Sequence, residues 1–151
     1  MKAVIQAVKD AKCTVGDRIT GEIDEGLLIY FCVEKGDSEK MLPQFLDKIL
    51  KLRLYRDENE RANFSIMDMS KKILFISQFT LAASLRKGNR PSFDNAAPPD
   101  LAKDLYIKAM EYLRSKGVEV GEGEFGAHMA VSYTNCGPQT FIWEMEGDNF
   151  Q

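Results

Sequence analysis

Eight successive residues, Gly26-Leu27-Leu28-Ile29-Tyr30-Phe31-Cys32-Val33, carry no charge and are apolar almost throughout. A run this short and this apolar suits a strand buried on both faces. Whatever the chain folds into must therefore cover both sides of a sheet.

The segments around it supply that sheet. Lys2 to Val8 alternates around Ala3, Ile5 and Ala7, with Val4 and Val8 also apolar. Cys13-Thr14-Val15 and Arg18 to Ile23 flank Gly16-Asp17, a two-residue turn signal in which glycine supplies the positive φ. Leu52 to Arg56 alternates as a strand, Asp57 to Arg61 is a polar turn, and Lys72 to Thr80 begins as a buried strand and turns polar at its end. Val118–Val120, Met129–Tyr133 and Thr140–Met145 return to strand character. Two helices interrupt the strands. The first carries Met41, Leu42, Phe45, Leu46, Ile49 and Leu50 at helical spacing, with Asp37 or Ser38 as its cap and Pro43 near its first turn. The second is capped by Asp100, has Leu101, Ala102, Leu105, Tyr106, Ala109 and Leu113 as its stripe, and ends at Gly117. Strands in runs rather than in strict alternation with helices predict an α+β fold, a β-barrel-like sheet of about eight strands with two main helices packed on it. Residues 1–151 fit one domain, with no repeat or linker.

Charge and cysteine usage narrow the function classes. The net charge is −3 and no stretch of about 18 apolar residues exists, so the expectation is a cytoplasmic protein with no membrane span. Cys13, Cys32 and Cys136 are scattered, without metal spacing, and His128 is the single histidine. An acidic chain does not wrap nucleic acid along many phosphates. Contact with RNA would fall to a local patch, and Ser84 to Arg90, with Arg86, Lys87 and Arg90 and no acid, is the candidate; a solvated loop is the plain alternative.

Two stretches could carry chemistry. Ser77-Gln78-Phe79-Thr80 places two hydroxyls and an amide at the end of a buried strand, where geometry is rigid. Ser77 or Thr80 could be a nucleophile given an adjacent base, or the backbone N–H groups around Phe79 and Thr80 could stabilise an oxyanion. Capping hydroxyls at a strand end are the simpler reading. Asn135-Cys136-Gly137-Pro138-Gln139-Thr140 lies between two expected strands. Its Gly-Pro bond can be cis at a cost of about 0.5–1 kcal/mol, which would aim neighbouring carbonyls together; a plain turn is again the simpler reading. Cys136 with His128 would make a thiol hydrolase. A third stretch, Gly121 to Met129, is a glycine-rich loop that matches no phosphate-binding pattern.

Taken in order, Gln6 and Val8, Glu22 to Val33, Ser77 to Leu81, Arg90-Pro91-Ser92-Phe93, Phe125-Gly126-Ala127 and Asn135 to Thr140 resemble the bacterial-type D-aminoacyl-tRNA deacylase family over essentially the whole chain. The resemblance implies a homodimer with active sites at the interface, acting on aminoacyl-tRNA without metal or cofactor. Ser77, Gln78, Phe79 and Thr80 would form the catalytic pocket for the ester and the terminal adenosine. Gly137-Pro138, as a cis peptide entering the partner's pocket, would hold the α-amino group. Asn135, Thr140, Phe125, Ala127 and Met129 would complete the substrate site. Contacts fixed on the Cα substituents can reject the L hand while accepting many side chains, which is selection by exclusion; glycine, which has no hand, would be released to some extent. Either Thr80 attacks the ester, or water or the tRNA 2′-hydroxyl assists with backbone amides as the oxyanion site; the second fits an already activated ester and a Thr80 without an evident base. The family's usual Gln-Arg-Val reads here Gln6-Ala7-Val8, so any brace that the arginine gives the Gly-Pro loop must come from elsewhere. A non-catalytic tRNA-binding module and a Cys136 or Thr80 esterase are the competing readings.

Overall fold

A computed structural model of the chain describes residues 1–147. The strands are β1 (Lys2–Val15), β2 (Arg18–Cys32), β3 (Tyr55–Arg56), β4 (Ala62–Phe64), β5 (Lys72–Ser77), β6 (Val120–Glu122) and β7 (Ala130–Glu144); the helices are α1 (Leu42–Leu50) and α2 (Pro99–Ser115). Five strands form one sheet in the order β6-β5-β2-β1-β7, and β3 pairs with β4 apart from it. The fold is α+β. Among the described residues seven strands lie in two sheets, and the main one has no hydrogen-bonded pairing between its edges β6 and β7.

β1 and β2 make one long antiparallel hairpin through Gly16-Asp17, with Gly16 at φ 58°. The sequence breaks β1 into pieces because Lys9 and Asp10 interrupt its apolar pattern; both are exposed, and the strand runs through them. β2 lies antiparallel to β1 on one side and parallel to β5 on the other. This central place explains its apolar run: Leu27, Leu28 and Ile29 are all buried. Gly26 faces Lys72 so closely that a Cβ would lie 1.8 Å from the Lys72 carbonyl oxygen, so β5 can approach only a glycine there.

Period-two alternation sorts the sheet into two faces. Ala3, Ile5, Ala7, Leu27, Ile29, Phe31, Ile73 and Phe75 join the core beneath the helices. Phe31 meets Phe45 and Phe75 at ring distances of 5.8 and 5.2 Å, and fully burying each such side chain is worth about 1.5–3 kcal/mol. Val8, Leu28, Leu74 and Ile76 face the other way into a second, smaller cluster with Cys13 and Ile23, lidded by Tyr30, Met129, Val131 and Tyr133.

Several local expectations change. Asp37 does not cap α1; it is buried and binds the Met1 ammonium at 2.8 and 2.9 Å and the Glu34 N–H at 2.7 Å. A 3-10 turn, Glu39–Met41, opens this segment instead, and Ser38 before it makes no side-chain cap. α2 begins at Pro99, with Asp100 already inside its first turn. Leu101 is exposed, and the buried stripe runs Ala102, Leu105, Tyr106, Ala109, Met110, Leu113. The expected Leu52–Arg56 strand shrinks to two residues, paired with Ala62–Phe64, a strand the sequence does not announce. Asn135 to Thr140 is not a turn between two strands but lies within the single strand β7.

Candidate active site

β5 ends where the chain must leave the sheet. The Gln78 N–H donates to the Phe31 carbonyl at 2.8 Å, and a 3-10 turn, Phe79–Ala82, follows at once. The Cys32 thiol donates to the Phe79 carbonyl at 3.7 Å, tying that turn to β2. Burial and the nearby Glu34 push this thiol up to about 11, so it stays protonated. The first N–H groups of a helical turn have no acceptor within it. Those of Phe79 and Thr80 find none elsewhere among the described residues.

Beside this turn opens a cleft of about 880 Å³, a size typical of small-ligand sites. Ser77, Gln78 and Phe79 line one wall, and Phe125, Gly126, Ala127, His128 and Met129 line the facing loop. Tyr106 joins the two walls. Its hydroxyl donates to the Phe75 carbonyl of β5 at 2.7 Å and accepts the Gly123 N–H at 3.3 Å, just ahead of Phe125. Burial holds the Tyr106 phenol well above its ordinary range, so it remains a donor. Tyr30, at the cleft floor, is likewise pushed up by burial and by Tyr133.

The rim is aromatic and then basic. Phe79, 56% exposed, packs on Phe93 at 5.0 Å. Ser84 and Ser92 pair backbone to backbone at 2.8 and 3.0 Å and close the loop that carries Arg86, Lys87 and Arg90, all exposed. Thr80 stands outside the cleft lining and is exposed; its Oγ1 accepts a close hydrogen bond from the Gln78 amide.

The remaining expected residues lie elsewhere. Asn135, Gly137, Pro138 and Thr140 sit on β7 and do not line the cleft of their own chain. Gln6 pairs with Thr140 and Val8 with Asn135, so Cys136 to Gln139 bulge out opposite Ala7 alone. The Gly137–Pro138 peptide is cis, and both residues are exposed. Ala7 is buried among the helix-side core and gives the bulge no brace. Polar side chains brace it instead: Gln6 Nε2 and Asn135 Nδ2 each donate to Thr140 Oγ1 at 3.0 Å, and Asn135 Oδ1 accepts the Gln139 N–H at 3.1 Å. Cys136 also lies on the bulge, away from the cleft lining that includes His128.

Sequence reasoning misses Tyr30, Lys35, Phe93 and His128 as cleft residues. Tyr30 and Phe93 fall in stretches that carry the family resemblance; Lys35 and His128 have no local pattern to mark them. Among the described residues, no group of three or more His, Cys, Asp or Glu is placed to hold a metal, and no helix is long and apolar enough to cross a membrane.

Comparison with known proteins adds to this geometry. The D-Tyr-tRNA(Tyr) deacylase family model matches residues 4–144. A D-aminoacyl-tRNA deacylase of Fusobacterium nucleatum is 48% identical over 151 residues, covering all of both chains. One of Clostridioides difficile is 45% identical over 142 residues, covering 94% of this chain and 95% of the relative. Among solved structures, the c-Myc DNA Unwinding Element Binding Protein superposes with a TM-score of 0.89 at 37% identity, covering 96% of this chain and 99% of that one. A probable eukaryotic D-amino acid tRNA deacylase superposes with a TM-score of 0.84, covering 95% and 98%; at 16% identity this likeness speaks to fold alone.

Proposed function

The chain belongs to the D-Tyr-tRNA(Tyr) deacylase family, and we propose that it hydrolyses the ester of D-aminoacyl-tRNA in the cleft at the end of β5. The observation that carries this reading is the meeting of Ser77–Phe79 and Phe125–Met129 on one cleft, beside a turn whose Phe79 and Thr80 N–H groups have no backbone acceptor among the described residues.

The aminoacyl ester enters beside Ser77 and Gln78, and the terminal base reaches the exposed Phe79–Phe93 pair. The preceding phosphates run toward Arg86, Lys87 and Arg90, the local basic patch that a chain of net charge −3 needs. Water, assisted by the 2′-hydroxyl of the terminal ribose, adds to the ester carbonyl. The oxygen that gains charge is held by the N–H groups of Phe79 and Thr80; a single donor of this kind is worth about 10²–10³ in rate. The bond to the ribose oxygen then breaks, that oxygen takes the proton from water, and free D-amino acid and tRNA leave. Thr80 serves in position rather than as nucleophile: among the described residues its one side-chain partner is the Gln78 amide, which is no base.

The α-amino group is held by a second copy of the chain. β7 is an edge strand, and an open edge invites pairing or cover. Its outward face shows Ile142, 72% exposed, beside the half-buried Val4 and Tyr30. A partner packed on this face brings its Gly137–Pro138 bulge to the cleft, where backbone carbonyls accept from the ammonium and leave no room for the L side chain. Asn135 and Thr140 set that bulge, while Phe125, Ala127 and Met129 shape the cavity. Glycyl-tRNA, lacking a side chain to exclude, is also cleaved. The reaction belongs to the cytoplasm, where aminoacyl-tRNA is made and used.

The test is a time course with D-Tyr-tRNA and L-Tyr-tRNA, alongside the mass of the protein in solution. D-selective release by a dimer supports the reading. Binding without release points to a tRNA-binding module, and hand-blind release blocked by a thiol reagent points to a thiol esterase.

A further inference from the structure

We propose that Gln6 is the positioning residue of the Gly137–Pro138 bulge, and through it of the D-over-L preference. The inference rests on the reading that the bulge senses the substrate's hand.

The bulge needs a brace from outside itself. Between Thr140 and Asn135 the strand spends five steps against two on β1, so Cys136 to Gln139 have no ladder partners of their own beyond Ala7. Asn135 closes the loop internally, by its amide to Thr140 Oγ1 and its carbonyl oxygen to the Gln139 N–H. Both of those contacts run within β7, whose ladder pairs with Val8 and Gln6 hold only the two ends of the bulge. Among the described residues, the Gln6 Nε2 contact to the same Thr140 hydroxyl is the one side-chain bond that ties the bulge to β1, whose register with β2 is unbroken from Lys2 to Lys9.

Gln6 keeps this contact at a cost. Its Oε1 is buried and has no donor among the described residues. A buried amide oxygen left unmet is unfavourable, and such exceptions are uncommon. On the same face its neighbours along β1, Val4 and Val8, are apolar, as packing alone would favour. A polar side chain held there with half its hydrogen bonding unmet marks a placement that serves the site.

The experiment measures single-turnover deacylation of D-Tyr-tRNA and L-Tyr-tRNA by full-length Gln6→Met, Thr140→Val, Gly137→Ala and the Gln6→Met/Gly137→Ala pair, with melting temperature and solution mass for each. Gln6→Met fills the same space without polar atoms. Thr140→Val removes the same bond from the other side and reports on the brace if Gln6→Met fails to fold. The expected result is a D-over-L rate ratio lowered at least about tenfold by Gln6→Met and by Thr140→Val in proteins of unchanged mass. The pair should be no worse than its stronger single variant, since coupled residues are non-additive. A ratio held within about twofold in Gln6→Met and Thr140→Val, while Gly137→Ala lowers it, overturns the role of Gln6 and leaves the bulge's role standing. A ratio unmoved by all three overturns both.

Discussion

The end of β5 and the bulge of β7 both break a strand's regular course with small and polar residues, yet they fold into opposite situations. The β5 end turns inward. It is tied to β2 by the Gln78 N–H and the Cys32 thiol, joined to the facing loop by Tyr106, and lines a cleft within its own chain. The β7 bulge turns outward. It is braced by three side chains, exposed at Gly137 and Pro138, and lines no part of that cleft. On the proposed reading, the first region supplies the cleft of one copy and the second reaches into the cleft of another. Part of a site's geometry can thus be invisible in one protomer even when every residue of it is well placed.

Substitutions can separate the two regions. The largest effect belongs to filling the cleft. Ala127→Trp sets an indole between the walls and lowers the rate on D-Tyr-tRNA by at least about 10²-fold, the scale on which small misplacements of substrate act; near-normal turnover would mean that the cleft is not where the ester sits. Tyr106→Phe comes next. It removes the shorter of two hydrogen bonds to the Phe75 carbonyl, which keeps the Gly123 N–H at 3.4 Å, and so costs about 0.5–1.5 kcal/mol. A melting temperature lower by about 1–6 °C is expected, with a smaller loss of rate; an unchanged melting temperature would deny that the hydroxyl helps to join the walls. Thr80→Ala, outside the cleft, is expected to lower the rate by no more than about tenfold, since it keeps the backbone N–H to which the proposed mechanism gives the work; complete loss in a folded, tRNA-binding protein would make the hydroxyl the nucleophile. The smallest effect is Cys136→Ala, which leaves the rate within about twofold. A dead variant would revive a thiol mechanism.

The sequence discloses these regions unequally, and burial explains why. The hairpin through Gly16-Asp17, the central strand after Gly26 and the start of β5 are legible because a strand covered on both faces needs a continuous apolar run. β1 is harder, since Lys9 and Asp10 sit on exposed positions and break its pattern without breaking the strand. β7 is hardest. An edge strand with one open side needs no regular pattern and can hold a proline, which lacks the N–H an inner ladder would require. Gly137-Pro138 therefore reads as a turn although it lies within a strand. Of the site, Ser77 to Phe79 and Phe125 to Met129 are recognisable as stretches, and the structure adds that they face each other. His128 and Lys35 reach the cleft from loops, where chain direction rather than periodicity decides what a side chain meets.

The claim that the site is shared between two copies has one direct measurement. Ala127→Trp spoils the cleft and leaves the bulge intact. Gly137→Ala does the reverse, because a Cβ at φ 117° would lie 2.9 Å from the Gln139 side chain. Each variant alone is expected to be poorly active and D-selectivity to be lost. Unfolding and refolding them together in equal amounts gives mixed dimers in which one site of two pairs a sound cleft with a sound bulge. D-Tyr-tRNA deacylation should recover to about a quarter of the wild-type rate, as random pairing of a two-fold dimer requires. A refolded mixture no more active than the sum of its separate parts would contradict a site built across two copies.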